Sequence, residues 1–134
     1  MNDLHEHVHG KVVIIKRKVP SQNQSQYRHW SLYHAEKEAW YVLLRAQFTP
    51  RKPREDPIRM VLRSYRSRLM DYANLVGGAK PIPDALIRLG VLKDDSPRWF
   101  HCEYYQFQVP KSDERTELEF IPWSGFDHMI EPER

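Results

Sequence analysis

Carboxylates and a lysine crowd the middle of this chain. Asp71 opens the run Asp71-Tyr72-Ala73-Asn74, Lys80 follows with Asp84 four residues beyond it, and Asp94 and Asp95 stand as a pair. Two carboxylates held about 4 Å apart repel by roughly 4 kcal/mol at an effective dielectric of about 20. A fold that gathered these acids would need a proton, a lysine or a divalent cation to offset that. Mg²⁺ prefers a few carboxylates, waters and substrate phosphates. It can activate water and stabilise charge at a phosphoryl centre, while Lys80 would supply a point charge for a phosphate oxygen. The same residues also have simpler readings. Asp71 could cap a helix N-terminus through the turn at Asn74. Asp94-Asp95 before Ser96-Pro97 suits an ordinary turn. Lys80 and Asp84 could form a surface ion pair worth about a few tenths of a kcal/mol.

The elements around these residues decide whether they can meet. Ile58, Met60 and Leu62 alternate with Arg59, Val61 and Arg63, which predicts a strand that runs on towards Arg68. Asp71 comes just after it. Ala85 to Leu89 reads as helix, with Gly90 at the left-handed C-terminal cap. Pro81 and Pro83 conflict with one straight helix from Asn74, so a helix starting near Pro81, or a kinked one, is expected. Gly77-Gly78 permits close approach of a ligand or a neighbouring element. Asp94 and Asp95 follow that helix and precede an aromatic strand from Trp99 to Val109. A strand–helix–strand unit can bring its two connections within reach of each other.

The flanking elements complete an α+β domain. Val12-Val13-Ile14-Ile15 is a β-branched strand ending at Pro20. Residues 21–26 read as a loop. From Trp30 to Phe48 a helix is predicted, its apolar stripe Leu32, Ala35, Ala39, Leu43 and Ala46 widened by Trp40 and Leu44. Thr116 to Trp123 alternates as a last strand, with Lys111 to Arg115 closing a hairpin back to the strand before it. The order β-α-β-α-β-β predicts helices packed on a mixed sheet. Residues 12–123 form the expected domain, between a flexible tail over 1–11 and an irregular one over 124–134.

Composition narrows the class. The chain has 134 residues, 40% hydrophobic and 29% charged, which suits one globular domain rather than disorder. No run approaches the ~20 apolar residues of a membrane span, and the first ten residues lack the apolar core of a secretory signal. A single cysteine, Cys102, excludes an intrachain disulfide framework, and a reducing cytoplasm is the default. Its neighbour His101 would point to the opposite strand face, a poor arrangement for thiol catalysis. His5, His7 and His9 alternate and would share a face on a strand, but read more simply as part of a loose tail. The net charge is +3, unevenly spread. Arg45, Arg51, Lys52, Arg54, Arg59, Arg63, Arg66 and Arg68 form a basic middle opposed only by Glu55 and Asp56, whereas acids collect late. That suits a polyanionic partner, or equally a solvated basic strand and loop.

The segment from Arg68 to Asp95 resembles the core of the RusA family of Holliday-junction resolvases. Asp71 matches that family's first acid, and Asn74-Leu75 its next matched pair. Lys80 matches its lysine, Asp84-Ala85-Leu86 the Asp-Ala-Leu that follows, and Gly90 with Asp94-Asp95 the closing glycine and paired aspartates. Pro20-Ser21-Gln22-Asn23 with Tyr27-Arg28 is similar to a weaker N-terminal element of the family. The resemblance implies a homodimeric, Mg²⁺-dependent endonuclease of mixed α/β structure, phage- or prophage-borne in many cases, that nicks opposed strands of four-way DNA junctions in recombination and repair. It implies Asp71 and Asp95, with Asp94, as metal ligands, and Lys80 beside the scissile phosphate. Arg66 and Arg68, with Arg63 from the same strand, would meet the DNA backbone. The sequence departs from the pattern at the second acid, which is Ala73 here, and three extra residues precede Lys80. Alanine cannot ligate a metal. Either Asp94 or Asp84 substitutes, or the site is weakened, or the protein binds branched DNA without cutting it.

Overall fold

A computed structural model of the chain describes residues 10–21, 30–48 and 55–123. The expected tails lie largely outside these residues, as do the three alternating histidines and Arg51, Lys52 and Arg54. Gly10 and Lys11, assigned above to a tail, are tied down: the Gly10 N–H donates to the Phe120 carbonyl, and the Phe120 N–H to that of Lys11.

The elements run β1 (Val12–Ile15), α1 (Trp30–Arg45), β2 (Ile58–Arg66), α2 (Tyr72–Gly78), α3 (Pro81–Leu89), β3 (Phe100–Gln108), a 3-10 turn (Lys111–Asp113) and β4 (Arg115–Pro122). The proline conflict is resolved by two helices rather than one kinked helix. Pro81 sits in the first turn of α3, where its missing N–H costs nothing, and Gly90 ends that helix at φ 84°. Gly78 ends α2 against another element, not a ligand. A Cβ there would lie 1.7 Å from the Pro20 carbonyl oxygen.

The mixed sheet has strand order β1-β4-β2-β3. β4 is antiparallel to both β1 and β2, and β2 is parallel to β3. The expected β3–β4 hairpin is therefore absent: β2 lies between them. The crossover through α2 and α3 sets β3 parallel beside β2, which leaves the other side of β2 for β4. The linker between β3 and β4 passes the end of β2, with the Val109 N–H on the Arg66 carbonyl and the Ser67 N–H on the Glu114 carboxylate.

Alternation gives the sheet two unlike faces. Ile58, Met60, Leu62, Leu118, Phe120, Val13 and Ile15 are buried with Leu75, Ile82, Leu86 and Leu89 of the helices in one core. The predicted stripe on α1 is fully buried only at the two residues that widen it. Trp40 and Leu44 are fully buried, followed by Phe48 just past the helix, while Leu32 and Leu43 are exposed. The large side chains at four-residue spacing claim the core, and the alanine-rich stripe beside them faces outward. On the other sheet face Arg59 pairs with Glu103, Arg63 with Glu119 and Arg115 with Glu117. Arg59 and Arg63 of the basic middle thus meet acids on the neighbouring strands β3 and β4.

Candidate functional site

The site grows from the two connections of the β2–α2–α3–β3 crossover. Lys80 is the junction residue between α2 and α3, held by the Lys80 N–H on the Gly77 carbonyl. Its ammonium lies 3.4 Å from Asp84 Oδ1, one turn into α3, and 3.7 Å from Asp95 Oδ2 in the loop before β3. Asp84 is braced from a third element: the Tyr33 hydroxyl on α1 donates to Asp84 Oδ2 at 3.3 Å. Burial works against the Lys80 charge, but the two carboxylates, Asp84 foremost, outweigh it and raise its pKa. Tyr33 is also raised, by burial first and by Asp84 next. One lysine between two carboxylates leaves a formal charge of −1, a cluster that attracts cations.

The remaining acids are engaged locally. Asp71 caps α2, its Oδ1 accepting the Asn74 N–H at 2.9 Å and its Oδ2 the Asn74 side-chain amide at 3.1 Å. Asp94 Oδ1 accepts the Ser96 N–H at 2.8 Å. The Ser96 side chain and N–H hold the Asp94 carboxyl below its usual range. The cap, the turn and the lysine–aspartate pair set out above as simple alternatives are all present. The Lys80–Asp95 contact goes beyond them, since it joins the two ends of α3. Ala73 is exposed in the first turn of α2.

Asp84 and Asp95 offer hard oxygens with excess negative charge, and Mg²⁺ is commonly held by only one or two carboxylates, its shell completed by waters and substrate phosphates. In that respect the residues fit. They do not form a protein cage: among the described residues, no three His, Cys, Asp or Glu side chains gather closely enough to hold a metal ion.

The basic residues separate sharply. Arg66 is buried, only 7% exposed, and its guanidinium donates to the Val19 and Arg68 carbonyls. It ties the segment after β1 to the end of β2 as a strut, with its donors turned to backbone carbonyls. Arg63 lies on the sheet face opposite the helices, 2.7 Å from Glu119 Oε1, and is neither free nor beside Lys80. Arg68 is exposed, and its guanidinium has no partner among the described residues.

Beside Lys80 and Asp95 a cavity of about 330 Å³ opens between the crossover helices and β3, walled by Val76, Pro83, Pro97, Phe100 and Tyr104. Cys102 also lines it. Cys102 is half-buried, and desolvation pushes its thiol up to about 12. That leaves it a poor nucleophile. His101 lines the cavity as well, with its ring 5.8 Å from that of Trp123 and its Nε2 3.8 Å from Glu103. Sequence reasoning missed Tyr33 and this cavity. Tyr33 stands 51 positions from Asp84 with no motif linking them, and the cavity walls come from four separate segments.

Compared with known proteins, the chain matches no protein-family model and no curated protein. No helix among the described residues is long and apolar enough to cross a membrane.

Proposed function

We propose that this chain is a RusA-like, Mg²⁺-dependent endonuclease acting on branched DNA, with its site at the mouth of the β2–α2–α3–β3 crossover. The observation that carries this reading is the meeting of Lys80 with Asp84 and Asp95. The resemblance makes Lys80 and Asp95 parts of one site, and they come from opposite ends of a helix. A cluster of charge −1 would repel a DNA phosphate unless a divalent cation offset it. Asp84 and Asp95 would hold that cation; Asp71, which the resemblance also assigns to it, caps α2 and does not join them in a three-acid group. Bound there, Mg²⁺ would supply activated water and charge stabilisation at phosphorus. Lys80 would orient a phosphate oxygen, Tyr33 would fix Asp84, and Arg68 would contact the backbone. Backbone contacts position the duplex without reading sequence, which suits recognition of junction shape by a homodimer whose two-fold axis matches that of the junction.

A second reading, junction binding without cleavage, is favoured by Ala73 in place of an acid and by the local engagement of Asp71 and Asp94.

One experiment decides between them. A synthetic four-way junction and a matched duplex are titrated with the protein over a salt series, with and without Mg²⁺. Paired nicks that require Mg²⁺ and are lost in Asp95→Asn establish the first reading. Salt-sensitive junction preference without nicks establishes the second. Absence of any preference for the junction at low salt overturns both.

A further inference from the structure

We propose that the cavity beside Lys80 receives one unstacked nucleobase of the DNA, so that the protein selects branch points by the ease with which a base leaves its stack. This inference rests on the branched-DNA reading. Its volume, about 330 Å³, stands at the low end of the roughly 300–1,000 Å³ of small-molecule sites. It has room for one heterocycle with its sugar and not for a run of stacked bases. The walls suit the faces of such a ring. Pro83 comes from the first turn of α3 and Pro97 from the turn before β3, and Phe100, Tyr104 and Val76 add further apolar surface. The ring of Tyr104 is itself held in place, edge to face with Tyr72 at 6.2 Å.

Polarity is arranged to match. Phe100 is nearly buried at 8% exposure, whereas the Lys80 and Asp95 side chains are about half exposed, at 49% and 52%. Phe100 and buried Pro83 therefore form the floor, half-buried Val76 and Tyr104 the sides, and exposed Pro97 stands with the charged pair at the rim. A base entering face-first would bury its ring on the floor and leave its hydrogen-bonding edge and flanking phosphate at the rim. Asp95 can accept from an exocyclic amine there, and Lys80 can donate to a ring nitrogen or a phosphate oxygen. Extruding a base costs least where stacking is already broken. At a branch point the strands change stacking partners, so a base there leaves its stack at less cost than one within continuous duplex. The pocket thereby gives a reason for structure selectivity that phosphate contacts alone lack.

The test uses the full chain and two probes. First, deoxyadenosine and deoxyribose are titrated separately while backbone amide resonances are followed by NMR. Deoxyadenosine should shift the amides of Val76, Cys102 and Tyr104, and deoxyribose should not. Shifts that are absent, equal for the two probes or located elsewhere overturn the proposal. Second, the wild-type protein is titrated with a four-way junction lacking single bases next to the branch. At one such position affinity should fall by roughly five-fold or more, the lower end expected for losing one stacked base. If every abasic junction binds as well as the intact one, the pocket does not take a base. The two failures are separable. Normal junction preference with no nucleoside effect removes the pocket and leaves the DNA reading standing. Nucleoside binding without junction preference does the reverse.

Discussion

Gly78→Ala should destabilise this protein, although alanine is the better helix former. The added Cβ would lie 1.7 Å from the Pro20 carbonyl oxygen, and Cβ contacts below 3.0 Å essentially do not occur. The gap between α2 and the segment after β1 must therefore open by at least 3.0 − 1.7 = 1.3 Å. That segment has little freedom to move. Val19 is fully buried in the core, and its carbonyl accepts from the Arg66 guanidinium. Forcing extra volume into a packed site costs about 1–3 kcal/mol, here near the upper end because the obstacle is backbone. Replacing a helical glycine by alanine returns about 1 kcal/mol at most. The net is a loss of about 2 kcal/mol, or about 8 °C in Tm for a domain of this size. Thermal and urea melts measure it directly. Lys80 lies two residues beyond the contact, so displacement of α2 should also disturb the Lys80–Asp95 pair, which the NMR shift of the lysine ammonium would report. A melting temperature equal to or above wild type would refute the packing argument. It would mean that Gly78 serves chain flexibility rather than close approach.

Other outcomes follow from the same geometry. Ala73→Asp places a carboxylate in the exposed first turn of α2, where it should not lower Tm. It should tighten Mg²⁺ binding measured by calorimetry, and unchanged Mg²⁺ affinity would show that position 73 does not face the site. Arg66→Met should lower Tm by leaving two carbonyls unpaired. Arg68→Ala should leave Tm unchanged and reduce the salt slope of junction binding by about 1; reversed effects would mean their roles are exchanged. The Cys102 thiol, pushed up to about 12, should react with a disulfide reagent at pH 8 roughly forty-fold more slowly than an ordinary thiol, the scarcity of thiolate being offset in part by its greater nucleophilicity, and at the normal rate in urea. Fast reaction in the folded protein would show the sulfur to be solvated. Glu114 accepts from the Ser67 N–H and hydroxyl, which holds its carboxyl below the usual range. Its contribution is full above the unfolded value of about 4.3 and is lost as pH falls through the lower native value. Glu114→Gln should therefore flatten the acid side of the Tm–pH curve, and an unaltered curve would assign acid lability elsewhere.

Much of the local structure was legible in the residues themselves. The β-branched run Val12–Ile15, the alternation from Ile58, the proline that opens α3 and the glycine that closes it all act within a few positions. Their consequences are set by neighbouring backbone sterics and need no distant partner. The Asp71 cap and the Lys80–Asp84 pair are local for the same reason.

Tertiary structure decided the rest. Whether β4 returns beside β3 or across β2 depends on where the crossover leaves an open edge. Which arginines are free depends on which acids the strand order sets opposite them: Arg63 meets Glu119, 56 positions away, and Arg66 meets Val19, 47 away. The face α1 buries was settled by the bulk of Trp40 and Leu44, not by the tidier stripe through Leu32 and Leu43. Asp95 joins Lys80 while adjacent Asp94 folds into its own turn, because one peptide step reverses which carboxylate faces the helix junction. Spacing along a chain encodes local torsions and periodicity. It carries no record of which distant surfaces will exclude water together, and that determines which charges remain available for chemistry.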